Sequence, residues 1–446
     1  MAKVAHELGW GLDVFCLDPA ELDHRDDARL EDLPAGIRVF GVPEASPWIE
    51  RLESGLHAAL RSIGPGARAT RDARYSQAAT PTPAAATRPS SFARTEVAFD
   101  AFEPRSWLRA YWSWLDFKKG GDWANRALGF ARRIFEPSQH RLILTCGPPH
   151  MVHDAGRRLA RETKLPWVMD LRDPWSRSDR TPEVFGSPLW FSLARRWERR
   201  CLRTARLIVM NTEPARDVMA VAYPSRAADV IAVPNAFDEN PLPDVKRSAR
   251  FLVAYAGTVY LDRTPETLFR AAARVVREEN LRPEDFGIEF MGHLGSIDGT
   301  SIDEIAARAG LACDYLQLHP PSNYAVAERF LAEASLLVSL PQDSHLAIPS
   351  KVFDYMRYEA RLLILAEAGS ATELLLRGTS AEVVDPWDEN GMAEALRRAL
   401  RERRREEIPE PIATDARFSR RSRTRELFEA IELRLGDLRV QSGSGG

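Results

Sequence analysis

Short runs rich in β-branched and other apolar residues alternate with helix-like segments along almost the whole chain. This alternation predicts parallel sheets covered by helices, because parallel strands need long crossovers that are usually helical. The strand candidates of the first half are GLDVFCL, IRVFGV, RLILTC, PWVMDL, RLIVMN and DVIAVP. Those of the second half are FLVAYAG, GIEFMG, YLQLHP, SLLVSL, RLLILA and AEVVDP. Two sets of six strands predict two doubly wound α/β domains that face a cleft.

The length and composition allow more than one core. A chain of 446 residues, of which 44% are hydrophobic, is long enough for two or three domains. We place the first domain at 1–235 and a linker at 236–250, where two prolines and several charged residues occur together. The second domain then spans 251–410. Residues 411–446 are predicted to form a C-terminal helix, which packs across a domain junction, and a flexible tail.

The N-terminal domain has two unusual stretches. MAKVAHELGW predicts a helix that precedes the first strand candidate, whereas an α/β domain normally opens with a strand. We therefore expect the first strand and its loop to be missing from this domain. Residues 64–95 contain Ala, Thr, Pro, Arg and Ser with almost no large apolar side chains, which predicts a mobile loop.

Several classes of protein are disfavoured by composition. The balance of 61 basic and 64 acidic residues argues against a protein that coats nucleic acid. The four cysteines lie far apart without a C-x-x-C pair, which indicates reduced thiols rather than disulfides or a zinc site. No apolar run reaches the 18 or more residues of a membrane span, and no signal peptide is evident. These features predict a cytoplasmic protein that binds no nucleic acid.

A tryptophan-rich segment leaves two interpretations open. Its tryptophans alternate with basic residues: Trp107, Trp112, Trp114 and Trp123 with Arg105, Arg109, Lys118 and Lys119. Such a segment is typical of a helix that binds a membrane surface or a partner protein. The membrane interpretation predicts peripheral contact with the inner face of the membrane. The alternative is that helices pack their tryptophans on the sheet and leave the basic groups in water.

The first candidate site follows the strand RLILTC. The turn GPPH keeps the backbone tight and brings Pro149 and His150 to the start of a helix. The next strand ends in DLRDPW, which puts Asp170, Arg172 and Asp173 at the carboxyl edge where open α/β sheets bind ligands. These three residues either contact a ligand or form a salt network that only shapes the site. His150 either reaches the ligand or caps the helix.

The second candidate site combines two motifs of the C-terminal half. In IPSKVFDYM, Pro349 suits the first helical position, and Ser350 and Lys351 bring backbone N–H groups and an ammonium to one helix start. In AYAGTVYLDRT, a strand ends at Gly257 and Thr258, and Arg263 precedes the next helix. Arg263 and Lys351 could neutralise a diphosphate. The alternative is that both are ordinary surface residues.

The order of these motifs resembles a known family. TCGPPHMVHDAGRRLARETKLPWVMDLRDPW and VPNAFD are similar to the glycosyltransferase 4-like N-terminal segment. YAGTVYLDRTPETLFRAAARV, AEASLLVSLP and IPSKVFDYMRYEARLLILAEAGSATELL resemble a glycosyltransferase group 1 domain. The resemblance covers most of residues 1–435. It implies the GT-B fold, in which two Rossmann-like domains face a cleft and a nucleotide-sugar donor binds mainly to the C-terminal domain.

The resemblance also implies roles for particular residues. Arg263 and Lys351 occupy the donor-diphosphate positions, and His150 lies where the family has a histidine near the donor sugar. Asp354 falls on the second acidic position of the E-x7-E motif, where a carboxylate can accept both ribose hydroxyls. The first glutamate of that motif is replaced by Leu346, and the usual P-N-G reads Pro-Asn-Ala at 234–236.

Side chains near the leucine could substitute for the absent glutamate. Asp343 and His345 are the candidates, together with backbone groups of the same loop.

The predicted activity is transfer of a sugar from a UDP-, GDP- or similar donor to the hydroxyl of a saccharide or lipid-linked acceptor. The resemblance implies retention of anomeric configuration and a role in surface polysaccharide or glycolipid synthesis. No D-x-D pair is present, so we expect no metal and no cofactor, with Arg263, Lys351 and a helix N-terminus stabilising the leaving diphosphate.

The alternative is a degenerate GT-B protein that binds a nucleotide or partner without transfer. A dinucleotide oxidoreductase is disfavoured because no G-x-G-x-x-G follows a strand.

Overall fold

The computed structural model describes most of the chain. The described residues are 1–21, 33–44, 48–49, 51, 54–55, 104–177, 187–259, 264–295, 297, 299–340 and 344–443. The loop expected at 64–95, Arg263 and Asp343 lie outside them. The described residues form two compact units. The first contains the residues up to 234 together with the C-terminal helix from 423, and the second contains residues 235 to 422.

The described residues of the first unit contain six strands, and all of these coincide with the predicted runs. Its elements are α1 (Ala2–Glu7), β1 (Leu12–Leu17), β2 (Ile37–Val42), α2 (Pro104–Ile134), β3 (Ile143–Cys146), α3 (Val152–Thr163), β4 (Trp167–Arg172), α4 (Pro188–Leu202), β5 (Leu207–Met210), α5 (Glu213–Ala222) and β6 (Val230–Ala232). The tryptophan-rich segment forms the single long helix α2 rather than several helices.

The six strands do not form one sheet. Strands β1 and β2 pair in parallel as a two-stranded sheet, and β3, β4, β5 and β6 form a parallel four-stranded sheet in that order. In the described part of the unit, no backbone hydrogen bond joins the two sheets, and side-chain contacts link the smaller sheet to the segment before β3 and to α2. His140 Nε2 lies 3.0 Å from Asp13 Oδ2, and Trp123 Nε1 on α2 donates to the Val42 carbonyl at 3.1 Å. The six strands predicted for this half of the chain thus belong to two parallel sheets, one of two strands and one of four.

The second unit contains the other six predicted strands. Its elements are β7 (Phe251–Ala256), α6 (Glu266–Glu278), β8 (Phe286–Met291), α7 (Ile302–Arg308), β9 (Leu316–His319), α8 (Tyr324–Ala332), β10 (Leu336–Ser339), α9 (Ser350–Tyr355), β11 (Arg361–Leu365), α10 (Ala371–Leu376), β12 (Glu382–Val384) and α11 (Glu389–Arg404). The C-terminal helix is α12 (Arg420–Gly443). No helix in the described ranges is both long and apolar enough to cross a membrane.

All six strands of the second unit form one parallel sheet. The strand order is β12-β11-β10-β7-β8-β9, so the chain winds outward from β7 in one direction and then returns to β10 to wind in the other. This is the doubly wound arrangement with its reversal between β7 and β10. Ligands of such sheets bind at the carboxyl ends of the strands beside the reversal, because the crossovers there diverge and leave a crevice.

The core of the second unit explains why its strands are almost wholly apolar. Val253 and Tyr255 of β7 pack into one hydrophobic cluster, whereas Leu252 and Ala254 pack into another. Both faces of the sheet are therefore covered by helices, as expected for a parallel sheet. The continuous apolar runs that identified these strands are a consequence of this two-sided burial.

The C-terminal helix α12 packs on the four-stranded sheet of the first unit. Leu427 and Ile431 are fully buried in one cluster with Val168 of β4 and Leu207 of β5. Phe428 packs against Trp10 with ring centroids 5.6 Å apart. Leu427, Phe428 and Ile431 thus form the face of α12 that covers the sheet.

We expect Leu427→Ala to lower the free energy of unfolding of the first unit by about 2–5 kcal/mol, because it leaves a cavity between α12 and the sheet. Leu433→Ala on the same helix is the matched control, since Leu433 is 69% exposed and its truncation removes little buried surface. Urea unfolding followed by circular dichroism measures both variants. Equal stability of the two variants would contradict the packing of α12 on this sheet.

Candidate functional site

Two glycines allow the backbones at the carboxyl ends of β7 and β8 to approach each other. Gly257 follows β7 with φ +142°, and Gly292 follows β8 with φ +138°. The N–H of Gly257 donates to the Met291 carbonyl at 2.9 Å. A Cβ on Gly292 would overlap the carbonyl oxygen of Gly257. A larger residue at position 292 would therefore force the strand ends apart.

Lys351 lies directly over the end of β7. Its Nζ donates a 2.6 Å hydrogen bond to Tyr255 Oη and lies 3.9 Å from the centroid of the same ring. The Tyr255 hydroxyl donates in turn to the Thr258 carbonyl at 2.8 Å. A Cβ on Gly257 would lie 2.5 Å from Nζ. The Lys351 ammonium thus lies against the backbone of Gly257, beside the reversal of the sheet. A cation–π contact and a charge-assisted hydrogen bond both stabilise it there.

The helix α9 that carries Lys351 is attached to the same strand end by a second tyrosine. Tyr355 Oη accepts a 2.8 Å hydrogen bond from the N–H of Ala256, and the hydroxyl lies 3.2 Å from the Ala256 carbonyl, to which it donates. Burial raises the pKa of this hydroxyl, which therefore stays protonated. Tyr255 and Tyr355 were not singled out by sequence analysis, because both belong to apolar runs that predict core.

The start of α9 differs slightly from the prediction. Pro349 is the N-cap residue, with φ −57° and ψ 130°, and the helix begins at Ser350. The prediction that Pro349 takes the first helical position is wrong, because its ψ is extended rather than helical. Asp354 lies three residues beyond Lys351 and is partly buried, and its charge contributes to raising the pKa of Tyr324 after the larger effect of burial.

The loop before α9 is organised around a serine. Ser344 Oγ accepts hydrogen bonds from the N–H groups of Leu346 at 3.2 Å and Ala347 at 3.0 Å. His345 Nε2 lies 3.2 Å from the carboxylate of Glu367. The position of the absent motif glutamate is therefore taken by a partly buried leucine, and Glu367 is a neighbouring carboxylate that sequence analysis missed.

In the first unit, the turn after β3 contains two consecutive cis peptide bonds, Gly147–Pro148 and Pro148–Pro149. His150 follows them, with its ring centroid 5.4 Å from that of Trp175 and 5.9 Å from that of His153. Burial lowers the pKa of His150 to about 4, so the imidazole is neutral at pH 7. The N-cap of α3 is Met151, which has no side-chain capping bond, so the interpretation of His150 as the helix cap is wrong.

Asp170, near the end of β4, is fully buried. The Cys146 thiol donates to its Oδ2 at 3.1 Å, and Arg172 Nη1 lies 3.9 Å from the same oxygen. Burial raises the pKa of Asp170, and the positive charge of Arg172 opposes that shift. Burial and the neighbouring Asp170 together raise the pKa of the Cys146 thiol to about 12, so this cysteine is not a thiolate at neutral pH.

Arg172 marks an irregularity in the sheet. Its φ is +63°, and the pairing register of β4 with β5 shifts between Asp170 and Arg172. The Arg172 carbonyl accepts from the N–H of Asn211 at 2.7 Å, and Nη2 donates to the Asn211 side chain at 3.3 Å. The irregularity changes the direction of the backbone where β4 ends and the loop that starts with Asp173 begins.

A buried glutamate holds that loop. Both the N–H and the hydroxyl of Ser176 donate to Glu198 of α4, at 2.8 and 2.7 Å, and the Tyr223 hydroxyl donates to Glu198 at 2.6 Å. Trp175 is fully buried beside it. The signal that would have revealed Glu198 is its spacing, since it lies four residues after the buried Ala194 on the inner face of α4.

The structure places the predicted residues in two separate groups. In the first unit, His150, Asp170, Arg172 and Asp173 follow or end the neighbouring strands β3 and β4, and Pro149 is an exposed part of the turn between them. In the second unit, Gly257 and Lys351 are in contact, Thr258 accepts from Tyr255, and Ser350 and Asp354 lie on α9.

Solved structures share this fold. HepE of Anabaena, crystallised with UDP and glucose, superimposes with a TM-score of 0.52 and 14% identity over 70% of this chain and 81% of that chain. Sucrose-phosphate synthase of Thermosynechococcus elongatus superimposes with a TM-score of 0.56 and 13% identity, covering 100% of this chain and 92% of that chain. No family model and no characterised protein sequence matches this chain. The predicted GT-B fold with two Rossmann-like domains is confirmed.

We expect Gly292→Ala to lower the free energy of unfolding of the second unit by about 1–3 kcal/mol, because the new methyl group meets backbone at a φ that favours glycine. Gly295→Ala is the matched control, since a Cβ there meets nothing within 4 Å. Denaturant unfolding of both variants measures the difference. Unchanged stability of Gly292→Ala would mean that the strand ends are not in close contact.

Proposed function

We propose that this protein is a glycosyltransferase that moves a sugar from a nucleotide-sugar donor to an acceptor hydroxyl. The observation that carries the proposal is the ammonium of Lys351, held over Gly257 at the reversal of the second unit's sheet. Doubly wound sheets bind phosphorylated ligands at this position. The structural likeness to HepE, whose crystals contained UDP and glucose, supports a nucleotide sugar as the ligand.

The proposed donor site uses the residues around this ammonium. Lys351 neutralises the diphosphate, the backbone at Gly257 and Thr258 allows its close approach, and Arg263 supplies a second cation. Asp354 accepts the ribose hydroxyls, and the N–H groups at Ser350 face the phosphates. When the nucleoside diphosphate leaves the anomeric carbon, negative charge grows on its oxygens, and a cation that is already in place stabilises it without reorganisation.

Replacing Lys351 with Ala removes one charge-assisted contact of about 1.5–3 kcal/mol, so we expect donor affinity to fall about 10- to 100-fold. Titration calorimetry with UDP-, GDP-, ADP- and dTDP-sugars measures this affinity. Lys246→Ala is the control, because Lys246 is an exposed lysine of the same unit. If both variants bind every donor as tightly as the wild type, Lys351 is not part of the donor site.

We further propose that transfer proceeds with retention and without a metal. Because the sequence contains no D-x-D pair, the leaving diphosphate depends on Lys351 and Arg263 for charge neutralisation. The expected result is a transfer rate that changes less than about twofold on adding EDTA. Loss of activity with EDTA and recovery with Mg²⁺ or Mn²⁺ would overturn this proposal.

Leu346 supports a second candidate function. A leucine where the related motif has a glutamate removes one carboxylate from the sugar end of the site, which suits a protein that binds a nucleotide or partner without transferring sugar. The two functions separate in one assay. Donor binding with release of free nucleoside diphosphate in the presence of an acceptor supports the transferase, whereas donor binding without release supports the binding protein.

The acceptor is proposed to be a saccharide or a lipid-linked saccharide used in surface polysaccharide or glycolipid synthesis, reached from the cytoplasmic face of a membrane. Three of the four tryptophans of α2 have exposed side chains, and Trp107 is 60% exposed. Only Trp123 is partly buried and bonded to β2. Packing on the sheet therefore accounts for Trp123 but not for Trp107, Trp112 and Trp114.

A basic helix face lies beside these tryptophans. Ser113 of α2 and Ser187 at the start of α4 share a 2.5 Å hydrogen bond, so the two helices adjoin. The outward side of α4 presents exposed residues at helical spacing: Leu189, Ser192, Arg196 and Arg199. Among the described side chains, no carboxylate forms an ion pair with either arginine. By contrast, Lys118 of the predicted basic set is paired with Asp122 at 2.8 Å. The arginines of α4 are thus better placed to meet anionic lipid.

Sedimentation with phosphatidylglycerol-containing vesicles tests this contact. Since each basic group near such a surface contributes about 1 kcal/mol, we expect salt-sensitive binding that the double variant Arg196→Glu/Arg199→Glu weakens at least tenfold. The charge-matched control is Lys246→Glu/Arg308→Glu on the exposed surface of the second unit. Absence of binding at low salt, or equal loss in both double variants, would exclude docking through α4.

A further inference from the structure

A chain of buried hydrogen bonds connects Trp167, Thr145 and His153, close to the turn that contains His150. Trp167 Nε1 donates to Thr145 Oγ1 at 2.8 Å, and Thr145 Oγ1 lies 2.9 Å from Nδ1 of His153, which is fully buried. An indole N–H can only donate, so the threonine oxygen accepts from Trp167. The threonine hydroxyl proton has no other acceptor in the described part of the chain. It therefore points at His153 Nδ1.

This arrangement selects one tautomer of His153. Burial keeps the pKa of His153 well below its usual value, so the ring is neutral and carries one proton. If Nδ1 accepts from Thr145, that proton is on Nε2. Nε2 of His153 is a buried atom without a hydrogen-bond partner among the described residues, and the same is true of Nδ1 of His150.

The two unpartnered nitrogens lie close to the same point in space beside Gly147. A Cβ on Gly147 would be 2.6 Å from His150 Nδ1 and 2.8 Å from His153 Nε2. Because both nitrogens are this close to one point, a small ring movement or a single water molecule joins them. A donor on His153 and an acceptor on His150 complete a continuous chain of hydrogen bonds from Trp167 to the turn.

We propose that His153 is a positioning residue that determines the tautomer of His150. The N–H at Nε2 of His153 pairs with Nδ1 of His150, which leaves the proton of the neutral His150 ring on its own Nε2. That nitrogen is on the side of the ring away from Nδ1, in a residue that is only partly buried. His150 therefore presents an N–H donor, and not a basic lone pair, at the carboxyl edge of the first unit's sheet.

The consequence for activity rests on the proposed transferase function. An N–H at this edge donates a hydrogen bond to an oxygen of the donor sugar or of the acceptor, and it cannot remove a proton from the acceptor hydroxyl. The charged groups on the neighbouring strand end are Asp170, Arg172 and Asp173, and Asp170 and Arg172 interact with each other. Glycine is required at position 147 because a side chain there would push apart the rings of His150 and His153.

Nitrogen-detected NMR of histidine-labelled full-length protein tests the tautomers without any substrate. His150→Gln and His153→Gln assign the two rings among the nine histidines. We expect both rings to be neutral at pH 7 with the proton on Nε2. Thr145→Val keeps the branched shape but removes the hydroxyl, so His153 should lose its single tautomer and His150 should become a mixture. Thr145→Ser restores the hydroxyl and should restore both signals.

The proposal is overturned if His153 carries its proton on Nδ1 in the wild type, or if Thr145→Val leaves the His150 tautomer unchanged. The wild-type spectrum alone decides the first point, even if the valine variant folds poorly. If donors bind and are turned over, we expect Thr145→Val to lower kcat about tenfold while the donor Kd stays within twofold. If the tautomers are as expected but no donor binds, the transferase function is rejected and the proposed histidine chain stands. If the enzyme turns over a donor but a tautomer is not as expected, only the histidine chain is rejected.

Discussion

The contact between the Lys351 ammonium and the end of β7 is the interaction on which the second unit's site depends. A lysine in this position needs a strand that ends in glycine, an aromatic ring beneath the ammonium and a hydroxyl that accepts from it, and Gly257 and Tyr255 meet all three needs. Tyr355 then ties the helix that carries Lys351 to the same strand end. Each of these groups constrains the others, so contacts within the unit fix the position of the ammonium.

The first unit differs, because one of its candidate residues, the carboxylate of Asp170, is fully buried. Asp170 and Glu198 are both fully buried, and each carboxylate accepts hydrogen bonds from neighbouring side chains. Buried polar groups destabilise a fold unless they are satisfied. Glu198 accepts three hydrogen bonds and so holds its loop in one geometry, whereas Oδ1 of Asp170 has no hydrogen-bond partner among the described residues. His150 and His153 lie in the same unit, and each ring has one buried nitrogen without a hydrogen-bond partner among the described residues.

Much of the fold could be predicted because its signals are local. All twelve strands coincide with apolar runs, and in the second unit those runs are continuous because helices cover both faces of the sheet. The division of the first unit into sheets of two and four strands could not be predicted, since strand neighbours are set by contacts between distant segments. The pattern of α2 predicted amphipathic character, but which tryptophans pack inward depends on where β2 lies.

The sequence by itself placed several candidate residues at the carboxyl ends of strands: His150 follows β3, Asp170 lies near the end of β4, and Gly257 follows β7. It also determined the two-domain α/β fold, because periodicity and strand length are properties of short segments. Only the tertiary structure decided the partners. Lys351 meets Tyr255 across 96 residues of chain, and Glu198 meets Ser176 across 22. Such pairings depend on the order of strands in the sheet and on burial, and no local spacing encodes either of them.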